Sequence, residues 1–235
     1  MSVDRLRWAI FPRSIISSVE NPAAHLWRAF ERPLRRRGDT VTFFETRGNE
    51  ALRAMLLRDR SSGLNAFRER FPEIHYQTVD QRSGVALAEW LTHTLSTIDI
   101  AVVDHDASPE LIATLSAFSR PFLQTFLVDP GWSSGAIVSE SLANLTGVLA
   151  GNDVLVAHYA RVIEPERVYP FGPLPDDLTD RDPNEAQAAA LDAAAERAIT
   201  TIVSVSETIR RARGTQVVAN GRVDHSERLG KHEPG

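Results

Sequence analysis

The chain has 235 residues, 43% hydrophobic and 24% charged, which is enough to bury a globular core and too apolar for a disordered segment. Its net charge of -5 excludes a nucleic-acid grip built on an overall basic surface, and the lack of cysteine removes thiol nucleophiles, disulfides and thiolate metal sites. The one lysine, Lys231, stands in a polar tail, so a phosphate-loop or Schiff-base lysine is excluded too.

No apolar run approaches the ~20 residues of a membrane span, and the opening residues lack a signal-peptide core. The expectation is a cytoplasmic chain with no membrane span and no nucleic-acid partner. In chain order, β-rich runs alternate with helical stretches, the pattern of a parallel sheet with crossover helices. A strand is predicted over 6–11 and a helix over 22–37, with Asn21 as N-cap, Pro22 in the first turn, Gly38 as the closing residue and a kink or break near Pro33. A strand over 40–45, two helices over 49–59 and 62–70, a strand over 74–79 and a helix over 83–96 follow. The strand over 98–103 is the most apolar to this point and reads as central.

A helix then starts near Ser108-Pro109-Glu110, before a strand over 122–127, a helix over 137–149, strands over 154–157 and 167–171, an alanine-rich helix over 184–198 and a strand over 201–205. The fold class is thus α/β, a doubly wound, mostly parallel Rossmann-like sheet with helices on both faces. The expected organisation is a Rossmann-like domain over 1–178, a helical and strand extension over 179–224 packing on it, and a flexible tail over 225–235.

The first strand leads into Pro12-Arg13-Ser14-Ile15 with no glycine before Gly38. A dinucleotide fingerprint needs glycines there so that backbone can approach the pyrophosphate, so no nicotinamide, flavin or other cofactor is expected. Asp104-His105-Asp106 falls at the carboxyl end of the strand over 98–103, the edge where open α/β sheets bind ligands. Either aspartate could orient the His105 imidazole for acid/base work, all three could approach a metal, or they could form a solvated loop beside a helix N-cap. No second cluster stands at ligand spacing, and no metal is expected.

Gly131-Trp132-Ser133-Ser134-Gly135 matches the G-x-S-x-G nucleophile elbow between a strand and a helix. Val128-Asp129-Pro130 intervenes between strand and glycine, and partners for Ser133 would have to be Glu164 or Asp176 with His225. Arg35-Arg36-Arg37 complements a helix C-terminus. Trp8, Trp27 and Trp90 read as core residues, whereas Trp132 stands in a loop suited to meeting a sugar ring or a base. His25, His75 and His93 show no partner.

Several segments together resemble bacterial GT-B glycosyltransferase-like proteins, including the group related to spore-maturation proteins. They are the opening strand, Asn21-Pro22-Ala23-Ala24, and Arg37-Gly38-Asp39-Thr40-Val41-Thr42-Phe43-Phe44-Glu45. To these add Val102-Val103-Asp104-His105-Asp106-Ala107-Ser108-Pro109-Glu110-Leu111, Ile202-Val203-Ser204-Val205-Ser206-Glu207, and Val217-Val218-Ala219-Asn220-Gly221-Arg222-Val223-Asp224. The resemblance implies the N-terminal, acceptor-side domain of that architecture and glycosyl transfer from a nucleotide sugar. Its ligand edge would comprise residues 12–21, 104–109, 128–135 and 158–161.

On that edge His105 with Asp104 or Asp106 would be the acid/base group. Asp129 and Trp132 would contact substrate, with Ser14, Asn21, Ser133 and His158 beside them. In the family the strand over 122–127 ends in a histidine facing the donor, and here Thr125-Phe126-Leu127-Val128-Asp129 stands in its place. The family's second Rossmann domain has no counterpart in the sequence, which implies a partner protein or homodimer supplying the donor site. Two other readings stay open: a non-catalytic binding or partner module derived from the same family, and a serine hydrolase using Ser133.

Overall fold

The computed structural model describes residues 5–16, 23–80, 82–118, 120, 122–132, 142–175, 178 and 182–228, with side chains as far as 213. Asn21, Ser133 and the residues at 17–22 and 133–141 lie outside the described set. The chain divides into two compact units, Met1–Ile199 and Thr200–Gly235.

The first unit is an α/β fold around seven parallel strands: β1 (Arg7–Phe11), β2 (Thr40–Thr46), β3 (Tyr76–Val79), β4 (Ile100–Asp104), β5 (Gln124–Asp129), β6 (Gly147–Ala150) and β7 (Val168–Pro170). Their spatial order is β3-β2-β1-β4-β5-β6-β7. The described helices are α1 (Ala23–Arg37), α2 (Glu50–Arg70), α3 (Gly84–Thr94), α4 (Pro109–Ala117), α5 (Asp153–Tyr159) and α6 (Glu185–Arg228). Every residue of β4, β5 and β6 is buried, as expected for parallel strands covered on both faces. This is the Rossmann-like doubly wound arrangement anticipated from the alternation of elements.

The chain builds outward from β1 to β2 and β3, then returns to place β4 on the other side of β1. That reversal opens a crevice at the carboxyl ends of β1 and β4, where α/β sheets hold ligands. Gly38 (φ 77°) turns the chain out of α1, with its N–H bonded to Arg35 O and that of Asp39 to Leu34 O. Buried Asp39 then accepts from Leu6 N, Trp8 Nε1 and Arg37 Nε, locking the start of β1 to the α1–β2 turn.

Several elements differ from expectation. α1 runs unbroken through Pro33, which is buried beside Phe30 and Leu34, so packing offsets the missing backbone bond. The two helices predicted over 49–59 and 62–70 are present as predicted: α2 breaks at Arg60, whose backbone is non-helical (φ 53°). Residues 154–157, predicted as a strand, are helical, because the Asn152 side chain accepts from Leu155 N and starts α5.

The helix predicted over 137–149 is contradicted where it is described. Gly147–Ala150 is a strand paired with Phe126–Asp129, and glycine is required at 147 because a Cβ there would stand 2.6 Å from the Tyr169 ring. The strand predicted over 201–205 is helical and continues α6, and residues 225–228, expected as tail, are helical too. Once an alanine-rich helix is nucleated, each further residue adds a backbone bond, and the β-branched run is carried along. Within the second unit Arg211 pairs with Glu207 one turn away at 3.1 Å. No helix among the described residues is long and apolar enough to cross a membrane.

Candidate functional site

The site grows from the ends of β1, β4 and β5. Register sets Phe11 against Val103 and Asp104 against Val128, so the chain following β1 meets the last residue of β4. Asp104 is fully buried. Its Oδ2 accepts the Trp27 indole N–H at 2.7 Å and the Arg13 backbone N–H at 3.2 Å, and its Oδ1 accepts Asp106 N at 3.0 Å. Three donors satisfy an anion that burial alone would make costly. They also tie α1, the β1 loop and the β4 loop to one carboxylate.

His105 continues the sheet ladder by one bond, from its N–H to Val128 O, and its imidazole turns into a cage of acids. Nδ1 lies 3.5 Å from Asp104 Oδ1 and 3.6 Å from Asp129 Oδ1, and Nε2 lies 3.3 Å from Asp106 Oδ1. Burial works against the protonated ring. The hydrogen-bonding contact with Asp104 and the charges of Asp129, Asp106 and Asp104 together outweigh it, and the pKa is raised above the ordinary imidazole value. The His105 side chain is only 2% exposed, whereas that of Asp106 is 15% exposed. Asp106 is therefore the member of the cage that meets the outside, with Arg13 Nη1 3.6 Å from its Oδ2.

Asp129, the last residue of β5, is buried: Oδ1 accepts Gly131 N at 2.8 Å and Oδ2 accepts the Tyr159 hydroxyl at 2.7 Å. Burial, then the charge of Asp129 and the bond to it, push the Tyr159 phenol well above its usual range. Tyr159 is thus a buried neutral donor that holds Asp129 in place beside His105. It comes from α5, one residue after the predicted His158, which is exposed. A Tyr in an apolar helix carries little sequence signal. Only the pairing of α5 with the β5 carboxylate reveals it.

The other predicted site residues separate from this cage. Ser14 is buried and donates its hydroxyl to Glu45 Oε1 at 2.7 Å. Glu45 also accepts Asn49 Nδ2 and the N–H groups of Ile15 and Ile16, so the pair clamps the loop after β1 to the end of β2. Burial raises the Glu45 pKa against the pull of those donors. Trp132 donates its indole N–H to Pro175 O and lines a separate cavity of about 430 Å³ with Pro130, Asn152 and Leu174. There Gly151 and Gly172 let three loops cross at close range: a Cβ on Gly172 would stand 2.1 Å from Gly151 O. Glu164, offered above as a hydrolase acid, is an exposed partner of Arg167.

Asp104, His105 and Asp106 bring one ligand atom each within 4.8 Å of one another, a spacing that could hold a cation. The oxygens of Asp104 already receive three N–H donors, and Arg13 and His105 lie beside Asp106, so groups of the protein already face these carboxylates.

The crevice beside Asp106 holds a cavity of about 180 Å³. Phe11, Phe44 and Trp90 form its apolar wall, and Arg13, Asn49 and Asp106 lie at its polar side.

Fold and site together define a Rossmann-like α/β protein whose sheet edge carries a buried histidine enclosed by three aspartates, one of them open to a cavity. No protein-family model matches the chain, and no curated protein matches it.

Proposed function

We propose that this chain provides the acceptor-side domain of a GT-B-like glycosyltransferase, in which Asp106 receives the proton of an acceptor hydroxyl and His105 positions it. The observation that carries the reading is the 3.3 Å approach of His105 Nε2 to Asp106 Oδ1 at the mouth of the crevice. The imidazole on one side and Arg13 on the other hold this carboxylate at the mouth of the crevice, where an acceptor hydroxyl can reach it. In the transfer the acceptor oxygen bonds to the anomeric carbon of a nucleotide sugar as the bond to the diphosphate breaks. The proton passes to Asp106, and the nucleoside diphosphate leaves with the electron pair. The sequence resemblance set out above supports the same reading.

Thermal unfolding of the full chain with UDP-, GDP- and TDP-sugars and with hydroxylated acceptors tests it. A ligand that binds only the folded state adds RT ln(1 + [L]/Kd), about 2.7 kcal/mol at a hundredfold excess over Kd. A rise in Tm with acceptor, or with donor and acceptor together, supports the reading. A cooperative transition that none of them moves contradicts it.

A second reading, a binding module without turnover, is favoured by the oxygens of Asp104 and Asp129, which are engaged by Trp27, Arg13, Gly131 and Tyr159. It expects ligand binding with no release of nucleoside diphosphate.

A further inference from the structure

The crevice next to Asp106 pairs an aromatic wall with a polar rim, on which Arg13, Thr46, Asn49, Asp80, Arg82 and Ser108 stand beside Asp106. Phe11 and Phe44 stack with ring centroids 5.3 Å apart and planes at 21°, and Trp90 stands edge-on to both at 6.1 and 5.7 Å. Val79, Leu87 and Leu111 complete the apolar wall. These rings belong to three different elements, the ends of β1 and β2 and the middle of α3, so the wall is held by the fold and not by a loop. A flat apolar ring covers that aromatic wall without stranding polar groups against it, whereas a sugar would bring hydroxyls to an apolar surface that cannot replace their water. A cavity of about 150 Å³ lined by apolar side chains takes up benzene, so the space of about 180 Å³ here suits one or two fused rings.

The polar side is equally specific. Asp106 offers a carboxylate oxygen, and the Arg13 guanidinium 3.6 Å from it already supplies a cation, so the complementary group is a hydrogen-bond donor such as a hydroxyl. We infer that this cavity binds a small hydroxylated aromatic compound, its ring against Phe11, Phe44 and Trp90 and its hydroxyl donating to Asp106. The role of that compound as the sugar acceptor rests on the function proposed above, but its binding does not.

Isothermal titration of the full chain with 2-naphthol, naphthalene, glucose and N-acetylglucosamine tests the assignment. One saturable site is expected for 2-naphthol and none for either sugar, with naphthalene weaker. Asp106→Asn should weaken 2-naphthol about tenfold, the cost of losing a hydrogen bond to a charged acceptor. It should leave naphthalene unchanged. Val79→Trp, at a half-exposed strand end, fills the cavity and should abolish binding. If circular dichroism shows that variant misfolded, Leu111→Phe takes its place. Binding of the sugars without 2-naphthol, or 2-naphthol binding indifferent to a folded cavity-filling variant, overturns the assignment. Binding in the expected pattern with no transfer from any donor contradicts the transferase reading and leaves the cavity assignment intact. Transfer to a sugar acceptor without 2-naphthol binding does the reverse.

Discussion

The indole N–H of Trp27 meets Oδ2 of Asp104 at 2.7 Å, joining the first helix to the end of the fourth strand across 77 residues of sequence. Both groups are buried, so neither has water as an alternative partner. The bond orients the carboxylate whose other oxygen faces His105.

Trp27→Phe keeps most of the ring packing and removes that donor. A buried carboxylate short of one partner destabilises the fold by about 1–3 kcal/mol. Urea denaturation should show this loss as a lower midpoint with an unchanged m-value.

His105 has a raised pKa, so the folded state binds its proton more tightly than the unfolded chain does. Its contribution is therefore complete below the unfolded value of about 6.5 and disappears as the pH rises through the higher folded value. Melting curves of the wild type and His105→Gln between pH 5.5 and 9 (values on the order of the ordinary imidazole range) should lie furthest apart at the acid end and converge toward the alkaline end.

His25 works in the opposite sense. Burial first, then the Arg28 charge, lower its pKa to about 4, so the folded state holds it neutral where the unfolded chain would protonate it. Stability present above pH ~6.5 should fall as the pH drops toward 4. In His25→Gln that part of the acid loss should be reduced, as read by Tm from the ordinary imidazole range at pH ~6.5 down to about 4.

Tyr159→Phe deletes the hydroxyl that holds Asp129 Oδ2 at 2.7 Å. Leaving a buried carboxylate oxygen without its donor should lower stability by about 1–3 kcal/mol. It should also shift the His105 imidazole resonance in a histidine-selective NMR titration, because Asp129 is one of the three acids around that ring. His158→Ala, next to it but exposed, should change neither quantity.

The parallel α/β class and the strand end carrying the candidate cluster are legible in the sequence because βα alternation and a mostly apolar central strand leave few alternatives. Asp104, His105 and Asp106 were found for the same reason, standing where a strand must end. Two of the elements that differ share one cause: short apolar runs such as residues 154–157 and 201–205 fit strand and helix alike until capping or a preceding helix decides. Trp27, Tyr159 and Glu45 could not be singled out, because their importance lies in single contacts across 77, 30 and 31 residues of sequence. Ser14 shows the converse. It was placed at the right edge, yet the hydroxyl belongs to Glu45, a partner that only the register of β1 and β2 brings within reach.

The assignment of Asp106 as base is tested most directly by following nucleoside diphosphate release from a donor that raises Tm, with its acceptor, for wild type, Asp106→Asn and His105→Gln. The expected result is a fall in turnover of about 10²–10⁴-fold in Asp106→Asn, the usual contribution of a general base, with the acceptor still bound. His105→Gln should retain more activity and move the pH profile. Turnover in Asp106→Asn equal to that of the wild type would contradict the assignment and return the cage of acids to a purely structural role.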